Sequence, residues 1–288
     1  MPDQPKSIDT LIDDIYSVFT DGVEGDQDEI IDAFGEGMKT LLKTRLVPRD
    51  NTSKGYLRLS GIGKPSRQLW YDCHGYEKPE LEGKKLLMFM YGDVIEELLL
   101  TLSQLAGHTV TNMQQTVKVN GIKGHIDAKI DGHVIDIKSA SPYSFKKFAN
   151  GGLAFDDPFG YMHQIASYKE GIENEGVGFL AMNKVDGSLA MYQPSEDILP
   201  DPVARVDELQ EMLKVNTPPE RCYPDILDAK TGNRKLDIGC VFCDFKKECW
   251  KDANNGQGLK GYKYAAMPFP LYLTDTVKVP QVNEIDIA

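Results

Sequence analysis

The chain has 288 residues, 41% hydrophobic and 26% charged. That is an ordinary globular balance, which excludes collagenous, coiled-coil and disordered chains. The net charge of −12 is concentrated in residues 1–36, where eleven acids face the single base Lys6, so the near-neutral remainder leaves a phosphate-rich partner open.

Five cysteines do not make a disulfide framework, and a reducing compartment would keep them as thiols or metal ligands. Met1-Pro2-Asp3-Gln4 lacks the basic flank and apolar stretch of a secretory signal, and no apolar run approaches the roughly 18 residues of a membrane span. A soluble, cytoplasmic protein without membrane partners is expected.

In chain order, Ser7 is an N-cap for a helix over residues 8–20, and Asp26 or Asp28 opens a second helix running to Leu46. Along the second, Ile30, Ile31, Phe34, Met38, Leu41, Leu42 and Leu46 recur at helical spacing, so one face is expected to dock. Residues 1–50 thus read as an acidic helical arm, closed by a loop over residues 48–54. A long helix over residues 84–106 ends at Gly107. Three strand-like segments follow, residues 116–119, 123–130 and 133–139, separated by Asn120-Gly121 and Asp131-Gly132, dipeptides that favour tight hairpin turns. The pattern predicts an antiparallel meander, then a helix over 159–173, strands over 178–183 and 189–192, and a helix to Val215. Residues 51–215 read as the core domain. Residues 216–288 are loop-rich and hold four of the five cysteines.

A two-residue loop at Asp131-Gly132 sets Ile130 opposite His133, which places Asp127 opposite Asp136 and His125 opposite Lys138. These four side chains would share one face, with Ile126, Ala128, Ile135 and Ile137 on the core face. Opposed carboxylates repel unless a cation lies between them. Oxygen ligands suit a hard divalent ion such as Mg²⁺ or Mn²⁺.

Asp136-Ile137-Lys138, with Asp127 on the preceding strand, resembles the signature of the PD-(D/E)XK nuclease superfamily. Gly92-Asp93-Val94-Ile95-Glu96 looks like the helical element of its RecB-like branch, with Glu96 where many relatives carry His. Gln164-Ile165-Ala166-Ser167-Tyr168 looks like that branch's Gln-x-x-x-Tyr element, and Ser66-Arg67-Gln68-Leu69-Trp70-Tyr71 like the stretch near the start of such domains. The likeness spans roughly residues 60–250 and is greatest to nucleases of tailed bacteriophages.

The resemblance implies an α/β fold with a restriction-endonuclease-like core: a mixed central sheet flanked by helices, extended by the helical arm and the cysteine-bearing segment. It implies a metal site formed by Glu96, Asp127, Asp136 and the Ile137 carbonyl, and catalysis assisted by Lys138. Gln164 and Tyr168 would hold the DNA backbone, with Lys184 as a further phosphate contact. Tyr168 and Lys184 also have plainer readings, as a core residue and a solvated strand-end lysine.

Cys240, Cys243 and Cys249 form a C-x₂-C-x₅-C run, with Cys222 upstream and no histidine beyond His163. An all-thiolate site favours zinc or an iron-sulfur cluster. In relatives with the same tail this run joins a distant cysteine around a [4Fe-4S] cluster, so the resemblance implies that cluster, with Zn²⁺ as the alternative. Cys222 is the preferred fourth ligand and Cys73 the other candidate. The activity implied is a DNA exonuclease of phage recombination or DNA degradation, acting with other recombination or replication proteins. A structure-specific endonuclease and a catalytically idle DNA-binding module are the competing readings.

Overall fold

The computed structural model describes residues 6–47 and 55–287; the expected loop over residues 48–54 lies outside them. In chain order the helices are α1 (Leu11–Thr20), α2 (Asp28–Arg45), α3 (Ser66–Cys73) and α4 (Gly83–Leu105). Five strands follow: β1 (Val110–Thr111), β2 (Thr116–Val119), β3 (Ile122–His125), β4 (Ala128–Ile130) and β5 (His133–Ala140). Then come α5 (Pro142–Ala149), α6 (Tyr161–Gly171), β6 (Gly176–Asn183), β7 (Leu189–Tyr192) and α7 (Pro202–Leu213). The last part carries β8 (Ile226–Leu227), β9 (Arg234–Lys235), three one-turn helices, β10 (Lys260–Tyr262), β11 (Leu271–Asp275) and β12 (Glu284–Ile285). No helix among the described residues is long and apolar enough to cross a membrane.

Contacts divide the chain into two compact units: one of residues up to 47, 57–63 and 81–208, the other of residues 55–56, 64–80 and 209–287. The first unit therefore includes both helices of the acidic arm, and the second joins α3 to the cysteine-bearing segment.

The first unit is built on a mixed sheet of order β1-β4-β5-β6-β7 flanked by helices. β4 and β5 form the expected hairpin, with Ile130 opposite His133 and Ala128 opposite Ile135. Its turn works because Asp131 and Gly132 both take positive φ, 46° and 82°, the backbone a type I′ turn demands. β5 also runs parallel to β6, from His133 beside Gly176 to Ala140 beside Asn183. A parallel pair needs a long crossover, and here it contains α5 and α6.

On one face of this sheet, Ile135 and Ile137 pack with Ile8, Leu11 and Ile15 of the arm and Leu99 and Leu100 of α4. Each such buried side chain contributes roughly 1.5–3 kcal/mol relative to exposure. The arm is thus docked by its first helix. α2 buries none of its residues, and Leu46, at the end of the predicted stripe, is 80% exposed. α2 lies against α4 with Arg45 paired to Asp93, a contact that half-buries Ile30, Phe34, Met38 and Leu41 of the stripe and leaves Ile31, Leu42 and Leu46 exposed. His108 adds a polar tie, with Nδ1 2.6 Å from Asp131 Oδ2 and Nε2 3.2 Å from Asp14 Oδ2.

The expected strand over residues 123–130 is two strands. β3 turns away to pair with β2 in a separate ladder that sets His125 opposite Thr116, and the chain bends at Ile126 and Asp127 before β4 begins. His125 therefore does not oppose Lys138; it is exposed.

The second unit contains a sheet of order β12-β10-β11-β9-β8, antiparallel throughout. Leu236, Val241, Trp250, Leu259 and Tyr272 form one small core, and Trp70 and Tyr71 of α3 pack with Phe245 in another.

Candidate active site

β5 presents successive side chains to opposite faces, so Asp136 and Lys138 point away from Ile135 and Ile137. The hairpin alone puts them on its polar face, opposite the core. Instead α6 covers them, and Asp136 is 1% exposed. The pairing of β5 with β6, which a hairpin reading does not include, brings α6 over this face.

Lys138 Nζ is ion-paired with Asp136 Oδ2. Gln164 Nε2 on α6 donates to Asp136 Oδ1 at 2.8 Å and to Tyr168 Oη at 3.1 Å, and its Oε1 accepts from Lys138 Nζ at 3.4 Å. Gln164 and Tyr168 share a helix face because four residues nearly complete a turn. The ammonium of Lys138 also sits 4.7 Å from the centre of the Tyr161 ring.

Asp127 is not a ladder residue facing Asp136. In the bend before β4, its Oδ2 accepts the Ile137 backbone N–H at 2.6 Å. The bend separates two strand pairings, so the register continues only as far as Ala128 and Ile135. Glu96 on α4 accepts from Gln114 Nε2 at 2.6 Å.

The carboxyls share one electrostatic environment. Burial, then repulsion from Asp136 and Asp93, pushes Glu96 up to about 7 against the opposing pull of Lys138. Burial and the charges of Asp136 and Glu96 hold Asp127 well above the usual carboxylate range. Asp136 is raised by burial in spite of Lys138. For Lys138, burial alone would favour the neutral amine, but Asp136 and Asp127 outweigh it and keep the ammonium. One lysine thus faces buried Asp136 and the half-buried Asp127 and Glu96, an excess of negative charge that a cation would relieve.

Among the described residues no three His, Cys, Asp or Glu side chains stand ready to hold a metal ion. The donor set nevertheless fits a hard divalent ion in its chemistry: carboxylate oxygens, mutually repelling and partly or wholly shielded from solvent. Lys184 lies just past β6 with its side chain exposed and its N–H bonded to the Ala140 carbonyl. Gln114 and Tyr161 join the site without a sequence signal: a polar loop residue and an aromatic at a helix start have many plainer roles.

In the second unit, Cys222, Cys240, Cys243 and Cys249 line one cavity of about 30 Å³ together with Arg67, Arg221 and Tyr223. Cys73 does not line it and is 7% exposed. Tight turns bring the cysteines together, with the Cys243 N–H bonded to the Cys240 carbonyl at 3.1 Å. Arg67 Nε lies 3.2 Å from Cys249 Sγ, and the same guanidinium bonds Tyr71 Oη and the Pro219 carbonyl. Burial pushes Cys240 up to about 12, helped by Cys249 and Cys243, and Cys243 up to about 11. Four sulfurs on one cavity are the donors a thiophilic centre requires, and a bound cation would reverse those shifts.

No family model matches the chain, and no curated protein matches it. Solved structures do. An alkaline exonuclease from Laribacter hongkongensis aligns with 13% identity and a TM-score of 0.34 over 61% of this chain and 94% of its own. A phage-related exonuclease from Haemophilus somnus 129PT aligns with 16% identity and a TM-score of 0.38 over 56% of this chain and 94% of its own. The protein SSO0001 aligns with 18% identity and a TM-score of 0.35 over 72% of this chain and 93% of its own.

Proposed function

We propose that the protein is a metal-dependent deoxyribonuclease that hydrolyses DNA phosphodiester bonds as an exonuclease, in phage DNA recombination or degradation. The observation that carries this reading is the cluster of half-buried Glu96 and Asp127 with buried Asp136 around one ion-paired lysine, Lys138, with Gln164 bonded to Asp136. A structural salt bridge needs one acid. Three clustered acids with raised proton affinity, one of them fully buried, are costly to the fold and are retained where a site uses them.

Glu96, Asp127, Asp136 and the Ile137 carbonyl would hold Mg²⁺ or Mn²⁺, which when bound polarises a phosphate oxygen and lowers the pKa of a water. Lys138 keeps its proton between Asp136 and the Tyr161 ring, so it can orient the attacking water or stabilise charge growing on the phosphate. Gln164 fixes the Asp136 carboxylate in one orientation, and Tyr168, 2% exposed, accepts from the same amide, so it serves as a core residue that holds Gln164 in place. Cys222, Cys240, Cys243 and Cys249 would hold a [4Fe-4S] cluster or Zn²⁺, supplying a structural clasp for the second unit. Partners would be DNA and other recombination or replication proteins, in the cytoplasm of a host cell if the chain is viral.

Release of acid-soluble nucleotides from linear and from circular DNA, with Mg²⁺ or Mn²⁺, tests the reading. Release from linear DNA alone is the expected result. Cutting of circular DNA would make the protein an endonuclease, and no release from either would leave a binding module.

A further inference from the structure

Two exposed phenylalanines of the first unit stand on one short loop: Phe155 is 94% and Phe159 56% exposed. Rings left in water are unfavourable for the fold, so two on a loop this short need another explanation.

The loop is held firmly. Asp157 caps α6, accepting from the N–H groups of Tyr161 and Met162 at 2.9 and 2.8 Å. Asp156 is ion-paired with Lys147 at 2.7 Å, and Lys147 Nζ also donates to the Asp156 carbonyl at 3.1 Å. Gly160 takes φ of 75° and packs against Gly63 so closely that a Cβ there would come within 2.4 Å of the Gly63 backbone. Both acids of the loop are thus engaged by the protein itself, and beside the ion-paired but 57% exposed Asp156 the loop offers the two rings to solvent.

One of these rings connects to the site. Phe159 stacks on Tyr161 with centroids 5.4 Å apart and planes at 28°, and Tyr161 in turn carries the Lys138 ammonium on its face at 4.7 Å. A continuous line runs from exposed Phe159 through Tyr161 to Lys138, the ion-pair partner of buried Asp136.

We propose that Phe159 and Phe155 form a stacking platform for unpaired bases, positioning the end of a single DNA strand so that its phosphate reaches Lys138 and Asp136. The inference rests on the nuclease reading above and deepens it by naming the substrate form: a single-stranded or frayed end. Bases are the fitting occupants because every base offers a π-face that stacks on an aromatic ring without regard to sequence, and because the phosphates linking them are what a lysine-bearing site engages.

The test uses the full-length protein, Phe155→Ala, Phe159→Ala and Phe159→Trp. Thermal melts come first; at 94% exposure Phe155 has almost no packing to lose. Two readouts follow: KM and kcat on single-stranded and blunt duplex DNA, and fluorescence quenching of a terminal 2-aminopurine in a single-stranded oligonucleotide bound in Ca²⁺. Each alanine variant is expected to raise the single-strand KM about 5- to 150-fold, the factor for roughly 1–3 kcal/mol of base–aromatic stacking. Quenching should fall in parallel with little change in kcat, and tryptophan should restore both. Wild-type cleavage with KM and quenching unchanged in both alanine variants overturns the platform and leaves the nuclease standing. Quenching that depends on the phenylalanines, without cleavage, overturns the nuclease and keeps the platform. Neither quenching nor cleavage by the wild type overturns both.

Discussion

Gln164 Nε2 donates to Asp136 Oδ1 at 2.8 Å. This bond joins a residue of α6 to one of β5, far apart in the chain, inside a cluster whose other members are the half-buried Lys138, Asp127 and Glu96. It makes the acid of the Asp-x-Lys run and the glutamine of the Gln-x-x-x-Tyr run parts of one structure, so a change at either should be felt at the other.

Removing the lysine is the sharpest perturbation of that set. Lys138→Met leaves Asp136 buried without its ion pair, which should lower stability by about 3–5 kcal/mol and abolish cleavage. Asp136→Asn combined with Lys138→Met should recover most of that stability and none of the activity. Denaturant unfolding of the single and double variants beside a nuclease assay checks this; a single variant as stable as wild type would contradict the buried pair.

The pH dependence follows from Glu96. Its proton affinity is raised from 4.5 to about 7 in the folded protein, so over that window the folded state holds a proton the unfolded chain has released. Stability of the metal-free protein should therefore fall as pH rises from about 4.5 to about 7. The raised Asp127 and Asp136 act in the same direction. Thermal melts in chelator should show Tm falling over this range. Glu96→Gln should flatten the fall, and Mg²⁺ or Mn²⁺ should reverse it at neutral pH. A Tm that rises from pH 5 to 7 in chelator would oppose the assignment.

The hairpin turns were legible in sequence because Asn-Gly and Asp-Gly have few backbone options, and Ile130 does face His133. The helices carrying Glu96 and Gln164 were legible from periodicity and length. The bend at Ile126 and Asp127 was not, because 123–130 alternates as well as any strand and nothing local says that its two halves pair with different partners. The burial of Asp136 was equally hidden: it depends on the parallel pairing of β5 with β6, a long-range choice no local pattern encodes. The sheet of the second unit escaped because its strands are two to five residues long, too short for alternation to show.

At the cysteines, protein purified without oxygen should carry iron with sulfide, or zinc, at about one site per chain. Cys222→Ser should lose that metal and Cys73→Ser should keep it, since only Cys222 lines the cavity with the C-x₂-C-x₅-C run. Metal analysis and absorbance spectra distinguish the cases. Loss of metal in Cys73→Ser with retention in Cys222→Ser would reverse the ligand assignment.

The acidic arm cannot simply be cut away to learn what its charge does. Leu11 and Ile15 are core residues of the first unit, and Leu11→Ala alone should lower stability by about 2–5 kcal/mol. Charge is better removed at the surface, by Asp9→Asn, Asp13→Asn, Asp21→Asn, Glu24→Gln and Asp26→Asn, all at exposed positions. This variant should keep its Tm and bind DNA more tightly at low salt, with the gain fading as salt screens the repulsion. Equal affinity at low salt would move the arm's role to protein partners.

The central claim meets its most direct test in one comparison: nucleotide release from linear DNA by wild type and by Asp136→Asn, each with Mn²⁺ or Mg²⁺ and with chelator. Wild type should release nucleotides only when the metal is present, and Asp136→Asn at least about a hundredfold less. Release that persists in chelator, or in Asp136→Asn at the wild-type rate, would contradict it.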